Sequence, residues 1–210
     1  MPERAAFSSG SPRRRAAAPP REVRIIGGQW RRTRLPVPDK PGLRPTPDRV
    51  RETLFNWLGQ DLSGWRCVDA FAGTGALGLE AASRGAADVL LIEQDPALAA
   101  QLRQTAQRLQ AATVRVQRSD GVAALRAQAA GSADLVLLDP PFDAIALLTP
   151  ALTAAAAAAR AGGWVYLEAA AQAGAAQLQA LGLTPYRHLK AGAVHAHLLR
   201  RAAAVGDGSA

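Results

Sequence analysis

The sequence predicts a doubly wound α/β fold: a mostly parallel seven-stranded sheet with a small N-terminal hairpin and helix added. Three observations lead there. From Arg66 onward, short apolar runs alternate with helical patterns, an order that right-handed crossovers in a parallel sheet satisfy. A glycine-rich loop, Gly73-x-Gly75-x-x-Gly78, follows the first of those runs. The last two runs flank Ala191-Gly192, which predicts an antiparallel hairpin closing the sheet. With 210 residues, 49% of them hydrophobic, there is chain enough for one such domain and an appendage.

Residues 1–20 are rich in Ser, Pro and Ala and include Arg13-Arg14-Arg15, so a disordered basic tail over 1–22 is expected. An organelle transit role is a minor alternative, and no apolar segment follows that would make a secretory signal. Val23–Ile26 and Trp30–Pro36 read as strands joined through Gly27-Gly28. Thr46 as N-cap, Pro47 at the first helical position and Asp48 in the first turn mark a helix. Its buried face is Val50, Leu54, Trp57 and Leu58, flanked by Arg49 and Arg51.

This 23–60 module precedes a main domain over 61–202 and a flexible end at 203–210. The domain's parallel strands are expected at Arg66–Ala70, Val89–Glu93, Thr113–Gln117, Asp134–Leu138 and Trp164–Glu168. Thr184–Lys190 and Val194–Arg200 form the final hairpin. Helices should begin near Ala76, Pro96, Gly121 and Thr149-Pro150, the last stopping at Gly162-Gly163, with a weak one at Ala173–Ala180. The uncharged stretch Ala144–Ala159 is too short and alanine-rich to span a membrane. Cys67, the only cysteine, sits in an apolar run and reads as a small buried hydrophobe. One thiol makes no internal disulfide, which fits a cytoplasmic chain.

The net charge of +8 is an N-terminal property: residues 1–51 hold 13 Arg and Lys against 4 acids, the other 159 residues 12 against 13. Such a block steers a polyanion toward the protein and neutralises phosphates. Arg24, Arg31, Arg32 and Arg34 on the hairpin, Trp30 between them, and Arg49 on the helix are candidate RNA contacts. The plainer reading makes these arginines ordinary exposed residues.

The glycine loop spans Asp69-Ala-Phe71-Ala72-Gly73-Thr74-Gly75 and ends at Gly78. Glycines there let backbone N–H groups approach a ligand, and Phe71 to Gly75 would line it. The spacing alone also matches a dinucleotide fingerprint. Two details favour S-adenosylmethionine: Asp69 places a carboxylate at the strand's end, near a ligand amino group, and the helix lacks a pyrophosphate signature. Glu93, ending the second strand, suits the hydroxyls of a ribose in either cofactor. Asp120, before Gly121, can accept from an adenine amino group or cap a helix, and the two roles are compatible.

The fourth run ends abruptly in Asp139-Pro140-Pro141-Phe142. Two prolines fix φ, remove two N–H groups and restrict the residues before them. The Asp139 carboxylate and the Pro140 carbonyl become two acceptors in fixed directions. An exocyclic base amine needs that arrangement, because its lone pair is delocalised into the ring. Two acceptors on its N–H bonds favour a pyramidal nitrogen and disperse the charge that develops during transfer. Phe142 offers a flat surface for the base. A sulfonium methyl donor is already electrophilic, so alignment suffices and no metal is implied.

These residues resemble the class I methyltransferases that modify guanine N2 in the small-subunit (16S) ribosomal RNA of bacteria. The likeness runs from Val23 to about Glu168: Val23-Arg-Ile-Ile-Gly-Gly-Gln-Trp-Arg31, Gly42-Leu-Arg-Pro-Thr-Pro-Asp-Arg-Val-Arg-Glu-Thr-Leu-Phe-Asn56 and Phe71-Ala-Gly-Thr-Gly-Ala-Leu-Gly-Leu-Glu80 look like that family's signatures. The middle segment is the most specific. The resemblance implies a Rossmann-like fold and S-adenosylmethionine surrounded by Asp69, Gly73, Gly75, Glu93 and Asp120. It also implies a guanine held at Asp139–Phe142, and 16S rRNA within a partly assembled subunit as the partner of a monomer.

DNA or a protein side-chain amide are other amine substrates for such a turn; no sizeable DNA-recognition domain is apparent, and the basic, arginine-bearing N-terminal module argues against a protein amide. An NAD-dependent oxidoreductase lacks an evident acid or base for hydride transfer. A non-catalytic RNA-binding assembly factor is the remaining alternative. His188, His195 and His197 read as solvent-facing rather than metal-binding, with no carboxylate near them in sequence.

Overall fold

The computed structural model describes residues 21–40, 43, 45–141 and 144–203. It opens with a two-stranded antiparallel ribbon, β1 (Arg21–Arg24) and β2 (Arg34–Val37), in register Val23 to Leu35. The strands are shorter than the sequence predicts: Trp30, Arg31 and Arg32 lie in the connecting turn, not in a strand. Arg32 at φ 70° and Gly28 at φ 73° bend the chain there. A Cβ on Gly28 would sit 1.8 Å from the Ser83 carbonyl oxygen, so that approach admits only glycine. Arg21 and Glu22, assigned from sequence to the tail, pair in β1; residues 1–20 of that tail lie outside the described residues.

Helix α1 (Asp48–Leu58) follows, with Pro47 rather than Thr46 at the N-cap position and no side-chain cap. The Thr46 hydroxyl is taken elsewhere, to a carboxylate described below. Val50, Leu54 and Phe55 are buried, whereas Trp57 and Leu58 only lean on the core. Arg51 was expected on the flank but its side chain is fully buried.

The main sheet comprises β3 (Arg66–Asp69), β4 (Asp88–Glu93), β5 (Val114–Arg118), β6 (Ala133–Leu138), β7 (Ala159–Ala169), β8 (Leu183–Ala191) and β9 (Val194–Arg201). Their order is β5-β4-β3-β6-β7-β9-β8; the first five are mutually parallel and β9 runs antiparallel to both neighbours. This is the seven-stranded doubly wound sheet the alternation predicts. Helices α2 (Gly78–Ser83), α3 (Pro96–Arg108), α4 (Gly121–Arg126), α5 (Ile145–Ala158) and α6 (Ala175–Ala180) make the crossovers. Helix α5 starts before Thr149-Pro150 and encloses Pro150, and it ends at Ala158. Gly162 and Gly163 belong to β7 instead, where the register with β6 shifts between Ala133 and Leu135. The alanine run, helical by propensity, supplies no internal signal for either boundary.

Two apolar layers sandwich the sheet. One holds Leu79, Leu91, Leu102 and Tyr166 together with Val23, Ile25, Leu35, Val50, Leu54 and Phe55, so the N-terminal module shares its core with the main domain. The other holds Ile92, Leu125, Val136, Leu152 and Val165 under α4, α5 and α6. Each fully buried Leu or Phe contributes about 1.5–3 kcal/mol. Cys67 is buried, as its run predicts, and burial pushes its thiol pKa far up.

Candidate active site

Strand order reverses between β3 and β6, and both strands deliver carboxylates to the crevice beyond their carboxyl ends. Asp69 ends β3 and is buried. Its Oδ2 accepts the Gly78 N–H at 3.0 Å, while Oδ1 is buried with no hydrogen-bond partner. Burial raises the Asp69 pKa to about 7 against the lowering by N–H groups of Gly78 and Phe71; the charges of Glu93 and Glu168 add to the rise. An orphaned, buried carboxylate oxygen calls for a donor from a ligand.

The glycine loop connects Asp69 to α2. Gly75 has φ 82°, and a Cβ there would lie 2.7 Å from Leu102 and 2.8 Å from Leu79, so side chain and backbone both require glycine. Thr74 and Ala72 are buried, and Phe71 packs partly into the second layer. The Gly73 N–H donates to Glu93 Oε2 at 2.9 Å, and Glu93 Oε1 accepts the Asp95 N–H at 2.8 Å. Glu93, at the end of β4, is thereby fixed beside the loop with one lone pair free on each oxygen. Asp120 caps α4, accepting the Ala123 N–H at 2.8 Å, the plainer of its two sequence readings. A Cβ on Gly121 would fall 2.3 Å from the Ala70 carbonyl, so bare backbone is needed where the β3 and β5 ends meet.

Asp139 follows β6 and Pro140 is buried behind it; a Pro141 carbonyl to Ala144 N–H bond of 2.9 Å closes the turn. Phe142 lies outside the described residues. The Thr46 hydroxyl donates to Asp139 Oδ2 at 3.2 Å and also lies against Glu168, which accepts the Tyr166 hydroxyl at 2.9 Å. Burial, then the nearby Glu168 and Asp69 charges, hold the Asp139 pKa well above the ordinary carboxylate range; the Thr46 bond works the other way. Burial likewise raises Glu168. Sequence reading missed Glu168, Tyr166 and Thr46 as members of the site, because β7 and the α1 approach meet β6 only through the fold.

It also missed the network that docks the N-terminal module. Glu80 of α2 accepts the Ile26 and Gly27 N–H groups, both at 2.7 Å, and pairs with Arg51 at 3.3 Å and Arg84 at 2.9 Å. Arg51 reaches on to the Thr46 carbonyl at 3.2 Å and to Asp48 at 2.7 Å. Arg84 stacks over Phe55. Lys40 pairs with Asp95, the cap of α3. Of the candidate RNA contacts, Arg24, Arg31, Arg32, Arg34 and Arg49 are at the surface and Trp30 is half-buried against the core. Arg24 pairs with Asp48 and Arg34 with Glu22, whereas among the described residues Arg31, Arg32 and Arg49 have no ion-pair partner.

A reversed strand order ending in an antiparallel strand, a glycine loop after the first central strand and acids at the ends of that strand and the next define a class I methyltransferase fold. The family described as conserved hypothetical protein 95 matches residues 23–200, and the chain belongs to that family. Over 121 residues it is 54% identical to the ribosomal RNA small subunit methyltransferase D of Escherichia coli strain K12, covering 58% of this chain and 61% of that protein. The protein of the same name from Haemophilus influenzae is 45% identical over 124 residues, covering 58% and 64%. The matched part thus spans less than two thirds of either curated relative. A solved structure of a candidate methyltransferase, yhhF, from Escherichia coli superposes with a TM-score of 0.74 at 39% identity, covering 87% of this chain and 99% of that one.

Proposed function

We propose that this chain transfers the methyl group of S-adenosylmethionine to the exocyclic N2 of a guanine in 16S ribosomal RNA, acting as a cytoplasmic monomer on a partly assembled small subunit. The observation that carries the reading is the pairing, across the β3/β6 crevice, of the partnerless Asp69 oxygen with the Asp139-Pro140-Pro141 turn. The names of the Escherichia coli and Haemophilus influenzae relatives support the substrate class. No helix among the described residues is long and apolar enough to cross a membrane.

When bound, S-adenosylmethionine supplies an electrophilic methyl on a sulfonium. Asp69 would take a donor of its amino-acid end, Glu93 the ribose hydroxyls, and the Asp120–Gly121 corner the base. Asp139 and the Pro140 carbonyl accept the two N–H bonds of the guanine amine and direct its lone pair at the methyl carbon. Asp139 would stabilise the positive charge that grows on the guanine nitrogen as it takes up the methyl group. The proton that nitrogen then sheds has the Asp139 carboxylate as its nearest acceptor. Methyl transfer to unmodified small subunits, with the modified nucleotide mapped, tests the proposal; no transfer together with no cofactor binding by calorimetry would sink it.

Two further outcomes are expected. A cation on Asp69 favours its ionised form, so the proton held with a pKa of about 7 must leave on binding. The affinity for S-adenosylmethionine should therefore fall about tenfold from pH 8 to pH 6, and calorimetry in buffers of different ionisation heat should show proton release. A flat profile would mean that Asp69 is ionised before the ligand arrives. Replacing Arg31, Arg32 and Arg34 by alanine should weaken RNA binding and reduce its salt slope by close to one for each phosphate no longer neutralised. An unchanged slope would move the RNA surface elsewhere.

A further inference from the structure

His188 and His197 face each other directly across β8 and β9, and His195 stands two residues from His197 on the same side of β9. The sequence reading made all three solvent-facing. Instead only His188 is exposed, His195 is half-buried and His197 is 3% exposed. Cross-strand pairing plus the two-residue period of a strand brings three imidazoles to one spot. Ring centroids of His188 lie 5.1 Å from His195 and 4.7 Å from His197. One nitrogen from each ring lies within 4.8 Å of the others, and no carboxylate belongs to the group.

We propose that His188, His195 and His197 form a binding site for a late first-row divalent cation, zinc above all, on the β8–β9 hairpin. Three neutral imidazoles without a carboxylate suit zinc, nickel or copper and not magnesium or calcium. His188 Nε2 and His195 Nδ1 are 3.0 Å apart, a contact that one imidazole proton now bridges. Two nitrogens on a tetrahedral zinc, each at about 2.0–2.1 Å, stand roughly 3.3 Å from one another, so this pair needs almost no movement. His197 is the fixed third member. Its Nε2 accepts the Ala173 N–H at 3.2 Å, while its Nδ1 is buried with no partner. For a lone pair of this ring to reach a cation, the Ala173 amide must turn away, so binding costs one hydrogen bond just ahead of α6. The fourth position is left to water.

The site is separate from the methyl-transfer crevice. His195 pairs with Ala169 and His197 with Leu167, whereas Glu168, between them on β7, points to the opposite face of the sheet and meets Tyr166. The proposal therefore goes beyond the methyltransferase reading and can be tested without cofactor or RNA.

The test uses the full chain without a histidine tag, freed of metal by a chelator and titrated with zinc chloride by calorimetry, then with cobalt chloride by visible absorption. One equivalent of zinc is expected with a Kd in the micromolar range or below, together with the intense visible bands of a four-coordinate cobalt centre. His188→Ala, at an exposed position that leaves folding intact, and His195→Ala should each weaken zinc at least about tenfold. Exchange of the Ala173 amide should quicken when zinc binds. Absence of binding, or affinity indifferent to His188→Ala and His195→Ala, would overturn the proposal. Octahedral cobalt spectra would do the same, by showing only adventitious surface binding.

Discussion

Replacing Asp139 by alanine is expected to lower methyl transfer about a thousandfold or more while leaving the affinity for S-adenosylmethionine within about threefold. The asymmetry follows from where the residue sits and which charge it carries. Asp139 follows β6 at the crevice, on the side proposed for the substrate, and burial and two neighbouring acids raise its pKa well above the ordinary carboxylate range. A raised pKa weakens the hold of this carboxyl on a cation, so its removal should cost the cofactor little. In the proposed mechanism it accepts from the guanine amine, and that contact strengthens as positive charge grows in the transition state. Single-turnover rates and calorimetry on the same variant separate the two effects. Equal loss of both would place Asp139 in cofactor binding and leave the amine without its acceptor.

Replacing Glu80 by alanine should destabilise the protein by about 3–5 kcal/mol, lowering the thermal midpoint by roughly 6–20 °C. The side chains of Glu80 and Arg51 are both fully buried, and Arg84 is nearly so. Removing the carboxylate leaves two guanidinium groups and the Ile26 and Gly27 N–H groups without their shared acceptor. The break releases the ribbon's turn and α1 from α2 together, so limited proteolysis should cut first between 26 and 47. Urea unfolding measures the loss directly. A change under about 1 kcal/mol would show that water reaches these groups and that the N-terminal module is held by apolar packing alone.

The centre of the sheet is readable because β3, β4 and β6 carry apolar runs closed by an acid, with Asp69, Glu93 and Asp139 standing where those runs stop. Helix α5 was not, since a row of alanines has no face to mark its ends and Pro150 resembles a start signal while sitting inside. Arg51 and Glu80 hid for another reason. A charged residue reads as exposed until its partner is known, and theirs is 29 residues away. The histidine cluster needed the β8–β9 register, and Thr46 beside Asp139 spans 93 residues of sequence. Contacts of that range carry no local periodicity.

Thr46 has one hydroxyl hydrogen and faces two carboxylates, Asp139 and Glu168. Both can be served only if one of the pair keeps a proton of its own, which burial already favours. The crevice when empty therefore carries less negative charge than three free carboxylates would. Under the proposed function, a cation entering beside Asp69 displaces its proton, which partly offsets the charge it brings. A phosphate backbone approaching the mouth would then meet a field dominated by the surface arginines of the N-terminal module. Under the proposed function, RNA association should depend only weakly on whether the cofactor is bound.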